Sequence, residues 1–188
     1  DPVRKATPGL RVVMEHITTK DGADYVLANE KDLGATITVQ HLILDRNDML
    51  VGGMRPHYYC LPILKRGVHR EALLAAAISG DKRFFLGTDS APHPTHAKES
   101  ECCSAGCFTA PNALSILAQT FEKAGALDKL EGFISRHGPA FYGLPINDET
   151  ITLTKGDDEV THPKTLPAGD HTVTVFDPGF PLFWSVSS

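Results

Sequence analysis

The chain lacks an excess of basic residues, a long apolar run and a leader-like start. Its 18 Lys and Arg residues are outnumbered by 23 Asp and Glu residues, so the formal net charge is -5. A nucleic-acid-binding surface would be basic, and we expect none. No apolar stretch approaches the roughly 20 residues of a membrane span. The first residues, DPVRK, are polar and not typical of a signal peptide. We therefore expect a cytoplasmic protein without a membrane partner.

The four cysteines do not follow a common ligand pattern. Structural zinc sites favour C-x2-C pairs, and that spacing is missing around Cys60, Cys102, Cys103 and Cys107. A disulfide framework is typical of short secreted chains, which this is not. We expect reduced thiols, with a small structural metal site at Cys102, Cys103 and Cys107 as the alternative. The chain also has no phosphate loop, no G-x-G-x-x-G, no H-E-x-x-H and no G-x-S-x-G.

Apolar, β-branched segments alternate with helical ones up to about residue 145. The predicted strands cover residues 10–16, 35–39 and 83–88, and the predicted helices cover residues 21–30, 69–79, 110–124 and 127–137. This order indicates an α/β fold with parallel strands and right-handed crossovers. The tail differs, because residues 151–154, 172–176 and 182–186 predict short antiparallel strands.

Several boundaries are specific enough to be tested. Residues 42–67 and 89–109 are predicted to be long loops. Asp21 and Thr109 are the expected N-caps of the helices that follow them. Gly138 and Pro139 are expected to end the last helix.

The stretch FFLGTDSAPH, residues 84–93, is the most informative in the chain. It predicts a buried strand that ends in a loop, with Asp89 at the carboxyl end where α/β proteins place their chemistry. His16 also ends a predicted strand, so imidazole and carboxylate could share a zinc site. The alternatives are that Asp89 caps a turn and that His16 is an ordinary hydrogen-bonded residue. His41 is a rival ligand, and His93 could bind an anion, move protons or be a solvated loop residue.

Three parallel strands leave sheet edges open. A (β/α)8 barrel has eight strands and about 250 residues, whereas the α/β part here ends near residue 145. The sheet is therefore either small and open or the last part of a barrel.

Ordered blocks of the sequence resemble dihydroorotase of the bacterial, single-function type. The similarity runs from about residue 8 to residue 155 and is loose in the last thirty or so. The blocks are EHITTKD (15–21), GATIT (34–38), NDMLVGGMRPH (47–57), YCLPILK (59–65), GTDSAPH (87–93), KE (98–99), AGC (105–107) and GPAFYGLP (138–145).

The resemblance implies an amidohydrolase (β/α)8 barrel of which this chain is the C-terminal part. Residues 1–150 would hold strands six to eight, and residues 151–188 would be a β-rich extension of the same domain. The implied enzyme is a zinc-dependent cyclic amidohydrolase that interconverts N-carbamoyl-L-aspartate and L-dihydroorotate in pyrimidine synthesis. It would hold two zinc ions and act as a homodimer.

The resemblance also assigns roles to five residues. His16 matches a metal ligand, and Asp89 matches a metal ligand that is also the catalytic acid and base. His93 matches a residue that holds the substrate carboxylate. Leu61 and Ala105 match positions whose backbone contacts the pyrimidine ring.

The other family ligands, among them the carboxylated lysine that bridges the metals, belong to the first five strands, which this sequence does not contain. We therefore expect the segment alone to fold poorly and to be inactive. The alternative is a non-catalytic, dihydroorotase-like partner domain that binds another chain through the exposed barrel edge.

Overall fold

A sheet of three parallel strands forms the centre of the computed structural model, which describes residues 2–29 and 31–187. The strands lie side by side in chain order: β1 (Val12–Met14), β2 (Leu33–Ile37) and β3 (Phe84–Leu86). In the middle, β2 pairs with β1 through Gly34 opposite Val13 and with β3 through Thr36 opposite Phe85. The α/β fold predicted from the sequence is confirmed. Because the strands are parallel, the carboxyl ends of all three lie at the same end of the sheet.

Helices fill the connections between the strands. Those in the described part of the chain are α1 (Pro2–Ala6), α2 (Lys20–Leu27), α3 (Val39–Ile43), α4 (Arg46–Leu50), α5 (Gly67–Ile78), α6 (Thr95–Lys98), α7 (Ala113–Lys123) and α8 (His137–Tyr142). The first crossover is α2, and the second ends with α5, which packs against α2. The Thr19 side chain accepts a hydrogen bond from the Gly22 N–H, so Thr19, and not Asp21, caps α2.

Every residue of β2 is buried, because helices cover the sheet where this strand crosses it. On β3, Phe84 is almost fully buried, and the Phe85 ring lies 5.6 Å from that of Phe141 on α8. The core continues to Phe121 on α7, whose ring centroid lies 5.5 Å from that of Phe133. Packed aromatic side chains therefore support the ends of the strands.

Residues 42–67 are not the irregular loop that the sequence predicted. They contain the end of α3, all of α4 and a 3-10 turn at Pro56–Tyr58. The Asp45 side chain accepts from the Asn47 N–H at 2.8 Å, and the Asp48 side chain accepts from the Asp45 N–H at 2.7 Å. A capping box therefore stabilises α4, which is too short to show an apolar period.

The helix predicted over residues 127–137 consists of separate helical turns in the structure, and the helical region continues to Tyr142. A 3-10 turn (Leu127–Lys129) and a π-helical turn (Gly132–Arg136) precede α8. Pro139 lies in the first turn of α8, where a missing N–H costs no helix hydrogen bond. The helix ends instead at Gly143, whose φ of 69° is left-handed.

The expected N-cap of the helix over residues 110–124 is also wrong. Asn112 precedes α7, and the Thr109 hydroxyl is buried without a hydrogen-bond partner among the described residues.

The tail forms two antiparallel ribbons. They pair β4 (Thr152–Lys155) with β7 (Trp184–Ser187), and β5 (Thr165–Ala168) with β6 (His171–Thr174). The sequence did not predict β5, because Pro167 lies inside it, which only an edge strand tolerates. Gln119 on α7 holds the tail by donating to the Pro181 carbonyl at 2.6 Å and accepting from the Phe183 N–H at 3.0 Å.

Across the described residues, each helix is too short or too polar to cross a membrane.

Candidate active site

His16 lies just beyond β1 in a left-handed backbone conformation. Its φ is 39°, which is uncommon for a residue other than glycine. The His16 N–H donates to the Thr36 hydroxyl on β2 at 2.6 Å. The His16 side chain is 32% exposed, and its Nε2 lies 4.0 Å from a carboxylate oxygen of Glu15. Its Nδ1 is buried and has no hydrogen-bond partner among residues 2–29 and 31–187, so this nitrogen is available to a ligand.

Asp89 repeats this conformation after β3. Its φ is 42°, and the residue is exposed at the same edge of the sheet. Left-handed conformations of this kind cost about 1–3 kcal/mol and cluster at functional sites. Both candidate metal ligands therefore occupy backbone conformations that the surrounding structure has to enforce.

Thr36 contacts the segments that follow both β1 and β3. Besides accepting from His16, it lies against Gly87, where a β-carbon would be 2.5 Å from the Thr36 Cβ and 2.7 Å from its Oγ1. The Gly87 N–H donates to the Ile37 carbonyl at 3.2 Å. The absence of a side chain at Gly87 thus lets the chain leading to Asp89 lie close to the end of β2.

We expect Gly87→Ala to destabilise the protein by about 1–3 kcal/mol, because a methyl group would overlap backbone-anchored atoms of Thr36. Chemical denaturation of the complete protein that carries this segment measures the change. Gly156→Ala is the matched control, since its added β-carbon would meet nothing closer than 3.9 Å. Equal unfolding free energies for the two variants would refute the close contact.

His93 and Ala105 meet in the loops beyond β3. His93 Nε2 donates to the Ala105 carbonyl at 2.9 Å, since a carbonyl can only accept, and this leaves Nδ1 for other partners. Gly106, the next residue, has no room for a side chain: its β-carbon would lie 2.6 Å from the Ala91 carbonyl. The Ala91 N–H donates to the Cys107 carbonyl at 3.0 Å. The segment that carries Asp89 and His93 is therefore tied to the segment that carries Ala105.

Leu61 joins this group through the backbone. The Gly106 N–H donates to the Tyr59 carbonyl at 2.9 Å, which brings the segment before Leu61 alongside Ala105. Leu61 is 58% exposed, whereas its neighbour Cys60 is 1% exposed and belongs to the core. The exposed apolar side chain thus lies on the solvent side of the segment.

His41 is not available as the rival ligand. The residue is 2% exposed, its Nδ1 shares a hydrogen bond with the Thr38 hydroxyl at 2.7 Å, and its Nε2 lies 2.8 Å from the Pro62 carbonyl. Both ring nitrogens are thus occupied within the protein. His57 faces Glu99, with Nε2 3.0 Å from a carboxylate oxygen.

The cysteines are divided between core and surface. Cys102 is exposed, whereas Cys60, Cys103 and Cys107 are buried. A hydrogen bond shared with Cys60, together with burial, raises the pKa of the Cys107 thiol, so this thiol stays protonated. No three His, Cys, Asp or Glu side chains among the residues described are arranged to hold a metal ion. The structure therefore does not support a cysteine metal site in that part of the chain.

The donor types at His16 and Asp89 fit zinc, which takes imidazole nitrogen and carboxylate oxygen. The unpartnered Nδ1 of His16 is the observation that favours a ligand there. Two ligands do not complete a site, because a catalytic zinc has three protein ligands.

Sequence reasoning missed Thr36, which accepts from the His16 N–H and lies against Gly87, and Lys98, whose ammonium donates to the carbonyls on both sides of Ala105. The β-branched strand that contains Thr36 gave no sign of this role. Lys98 lies in one of the blocks that resemble dihydroorotase, but the sequence did not indicate its burial.

Comparisons with known proteins bear on the family to which the chain is similar. No family model matches the chain. A dihydroorotase of Ruegeria pomeroyi is 79% identical over all of this chain and 54% of its own length, and one of Rhizobium meliloti is 57% identical with the same coverage. The chain spans about half the length of the curated relatives it matches.

Solved structures give the same result. Dihydroorotase from Saccharomyces cerevisiae, solved in complex with 5-fluoroorotic acid, has a TM-score of 0.88 at 31% identity and matches 99% of this chain and 54% of its own. The Campylobacter jejuni dihydroorotase has a TM-score of 0.87 at 34% identity, over 100% of this chain and 54% of its own. An L-hydantoinase from Arthrobacter aurescens, at 17% identity and a TM-score of 0.75, shares the fold. The resemblance to dihydroorotase is confirmed.

Proposed function

We propose that this chain, which resembles the C-terminal portion of dihydroorotases over its whole length, supplies one side of the active site of a zinc-dependent dihydroorotase. The reaction is the reversible interconversion of N-carbamoyl-L-aspartate and L-dihydroorotate. The observation that carries the proposal is that His16 and Asp89, both left-handed, follow the carboxyl ends of β1 and β3, the two strands that flank β2.

The proposed architecture is the last part of an amidohydrolase barrel. The outer strands β1 and β3 each pair with one neighbour only within the described sheet, so both edges are free to continue into further strands. We assign β1, β2 and β3 to barrel strands six, seven and eight. Residues 1–150 then belong to the barrel, and residues 151–188 are an extension of the same domain, held to α7 by Gln119.

Zinc at His16 and Asp89 would lower the pKa of a bound water and polarise the ring amide carbonyl. We assign the role of general acid and base to Asp89, and its exposure to solvent supports this assignment. In hydrolysis its carboxylate takes the proton of the attacking water and gives it to the departing ring nitrogen. In synthesis it removes the proton of the ureido nitrogen. One carboxylate thus serves both directions.

Substrate binding is assigned to the loops beyond β3 and β2. His93, oriented by its hydrogen bond to Ala105, would hold the substrate carboxylate through its imidazole ring. The backbone of Leu61 and Ala105 would contact the pyrimidine ring, since loop hydrogen bonds hold the two segments together. The solved yeast relative in complex with 5-fluoroorotic acid supports a pyrimidine-carboxylate ligand.

A non-catalytic partner domain is the second candidate. The free edges of β1 and β3 favour it, because an unpaired strand edge readily accepts a strand from another chain. Such a domain would need neither the imidazole of His16 nor the carboxylate of Asp89.

Zinc content and turnover distinguish the two candidates. We expect the complete protein, whose mass exceeds the 20.4 kDa of this chain, to hold about two zinc ions per chain and to hydrolyse L-dihydroorotate. Residues 1–188 alone should lack activity and bind zinc poorly, because two ligands do not make a site. A folded, metal-free and inactive complete protein would favour the partner domain.

A further inference from the structure

Lys98, at the end of α6, is a lysine enclosed by the protein. Only 3% of the residue is exposed, and its ammonium donates to three main-chain carbonyls: Tyr59 at 2.9 Å, Ser104 at 2.7 Å and Gly106 at 2.7 Å. A lysine ammonium has three donors and no acceptor, so these carbonyls match its full donor capacity.

Such a burial is costly unless the hydrogen bonds are made. Removing a charged group from water carries a large penalty, and charge-assisted hydrogen bonds recover it. Burial lowers the pKa of Lys98, as expected for a cation held away from water. A lysine needed only for solubility would not be enclosed in this way, so the arrangement points to a positional role.

The three carbonyls belong to the segments predicted to contact substrate. Ser104 and Gly106 flank Ala105, so one ammonium holds the peptide groups on both sides of that residue. The Tyr59 carbonyl, two residues before Leu61, accepts from both Lys98 and the Gly106 N–H. Lys98 therefore fixes the separation of the Leu61 and Ala105 segments.

The same contacts reach His93. Its Nε2 donates to the carbonyl of Ala105, between the two carbonyls that Lys98 holds. A shift of the Ala105 peptide would therefore rotate the imidazole predicted to bind the substrate carboxylate. Through these three hydrogen bonds the side chain of Lys98 joins both segments.

We propose that Lys98 is a positioning residue of the substrate subsite, which sets the spacing and orientation of Leu61, Ala105 and His93 without touching the substrate. This inference rests on the proposed function. It predicts a change in substrate binding that is larger than the change in metal binding, because the ammonium of Lys98 donates to the carbonyls of Tyr59, Ser104 and Gly106 and to neither His16 nor Asp89.

The test is Lys98→Met in the complete protein, with Lys82→Met as the matched control, because Lys82 is exposed. We expect the KM for L-dihydroorotate to rise about 10- to 100-fold, while zinc content stays at the wild-type value and kcat falls less than KM rises. Amide hydrogen exchange should become faster at Gly106, whose N–H bonds to the Tyr59 carbonyl. The control should change none of these quantities.

A second variant tests the proposal if Lys98→Met does not fold. Lys98→Arg keeps the charge, but its planar donors do not match three converging carbonyls, so we expect a folded protein with a smaller rise in KM. Unchanged KM and unchanged Gly106 exchange in a folded Lys98 variant would overturn the proposal, as would a loss confined to kcat and zinc. If the wild-type complete protein shows no turnover, the proposed function fails, and the exchange rate at Gly106 still decides whether Lys98 holds the two segments.

Discussion

Asp89→Asn is expected to lower kcat for L-dihydroorotate about 10²- to 10⁴-fold in the complete protein, in both directions of the reaction. An amide cannot accept the proton of the attacking water or return it to the ring nitrogen. It is also a weaker zinc ligand than a carboxylate, so we expect zinc content to fall as well. Steady-state kinetics and metal analysis on the same preparation measure the two effects.

The substitution removes the carboxylate without changing the backbone conformation. Asp89 has a φ of 42°, and Asn accepts left-handed conformations as readily as Asp does. Asp32, with a φ of 54° beside the opposite end of the sheet, provides a matched control. Asp32→Asn should leave kcat and zinc unchanged. A kcat within twofold of wild type in Asp89→Asn would exclude the carboxylate as the acid and base.

The sequence was informative where chemistry follows a buried strand. FFLGTDSAPH predicted a strand ending before Asp89, and β3 ends at Leu86. Both the parallel order of the strands and the antiparallel tail follow from patterns of residue type. These features were predictable because burial and strand propensity act locally along the chain.

The geometry of the candidate site was not predictable in this way. The left-handed conformations of His16 and Asp89 are not visible in the sequence, and Thr36, which accepts from the His16 N–H and lies against Gly87, is on another strand. The burial of Lys98 depends on three carbonyls, one of which lies 39 residues away in the chain. A single sequence does not show which distant segments meet. The resemblance to dihydroorotase predicted that Leu61, His93 and Ala105 share one site, although they are distant in the sequence.

Short helices were missed for another reason. The helix α4 depends on the Asp45 and Asp48 side chains rather than on an apolar face, and α8 tolerates Pro139 because it lies in the first turn. A proline ends a helix only when it lies beyond the first turn. Whether Pro139 does so depends on where the helix begins, which the sequence alone does not show.

His16→Asn is expected to reduce the zinc content of the complete protein and to lower turnover by about 10²-fold or more. The structure leaves the buried Nδ1 of His16 without a partner among the described residues, and the imidazole is the only nitrogen ligand that this segment offers on our assignment. Asn preserves the left-handed backbone at a φ of 39°, so the loop should keep its shape. Metal analysis after dialysis against a chelator, with turnover measured in parallel, gives the result.

His41→Asn provides the contrasting result. Its two ring nitrogens are both engaged inside the protein, so replacing the ring should lower the unfolding free energy by about 1–3 kcal/mol and leave zinc content intact. Loss of zinc in His16→Asn alone would show that His16 is a metal ligand and that His41 has a structural role. Loss of zinc in both variants would mean that His41 also supports the metal site in the complete protein. Loss of zinc in His41→Asn only would mean that the assignment of His16 is wrong.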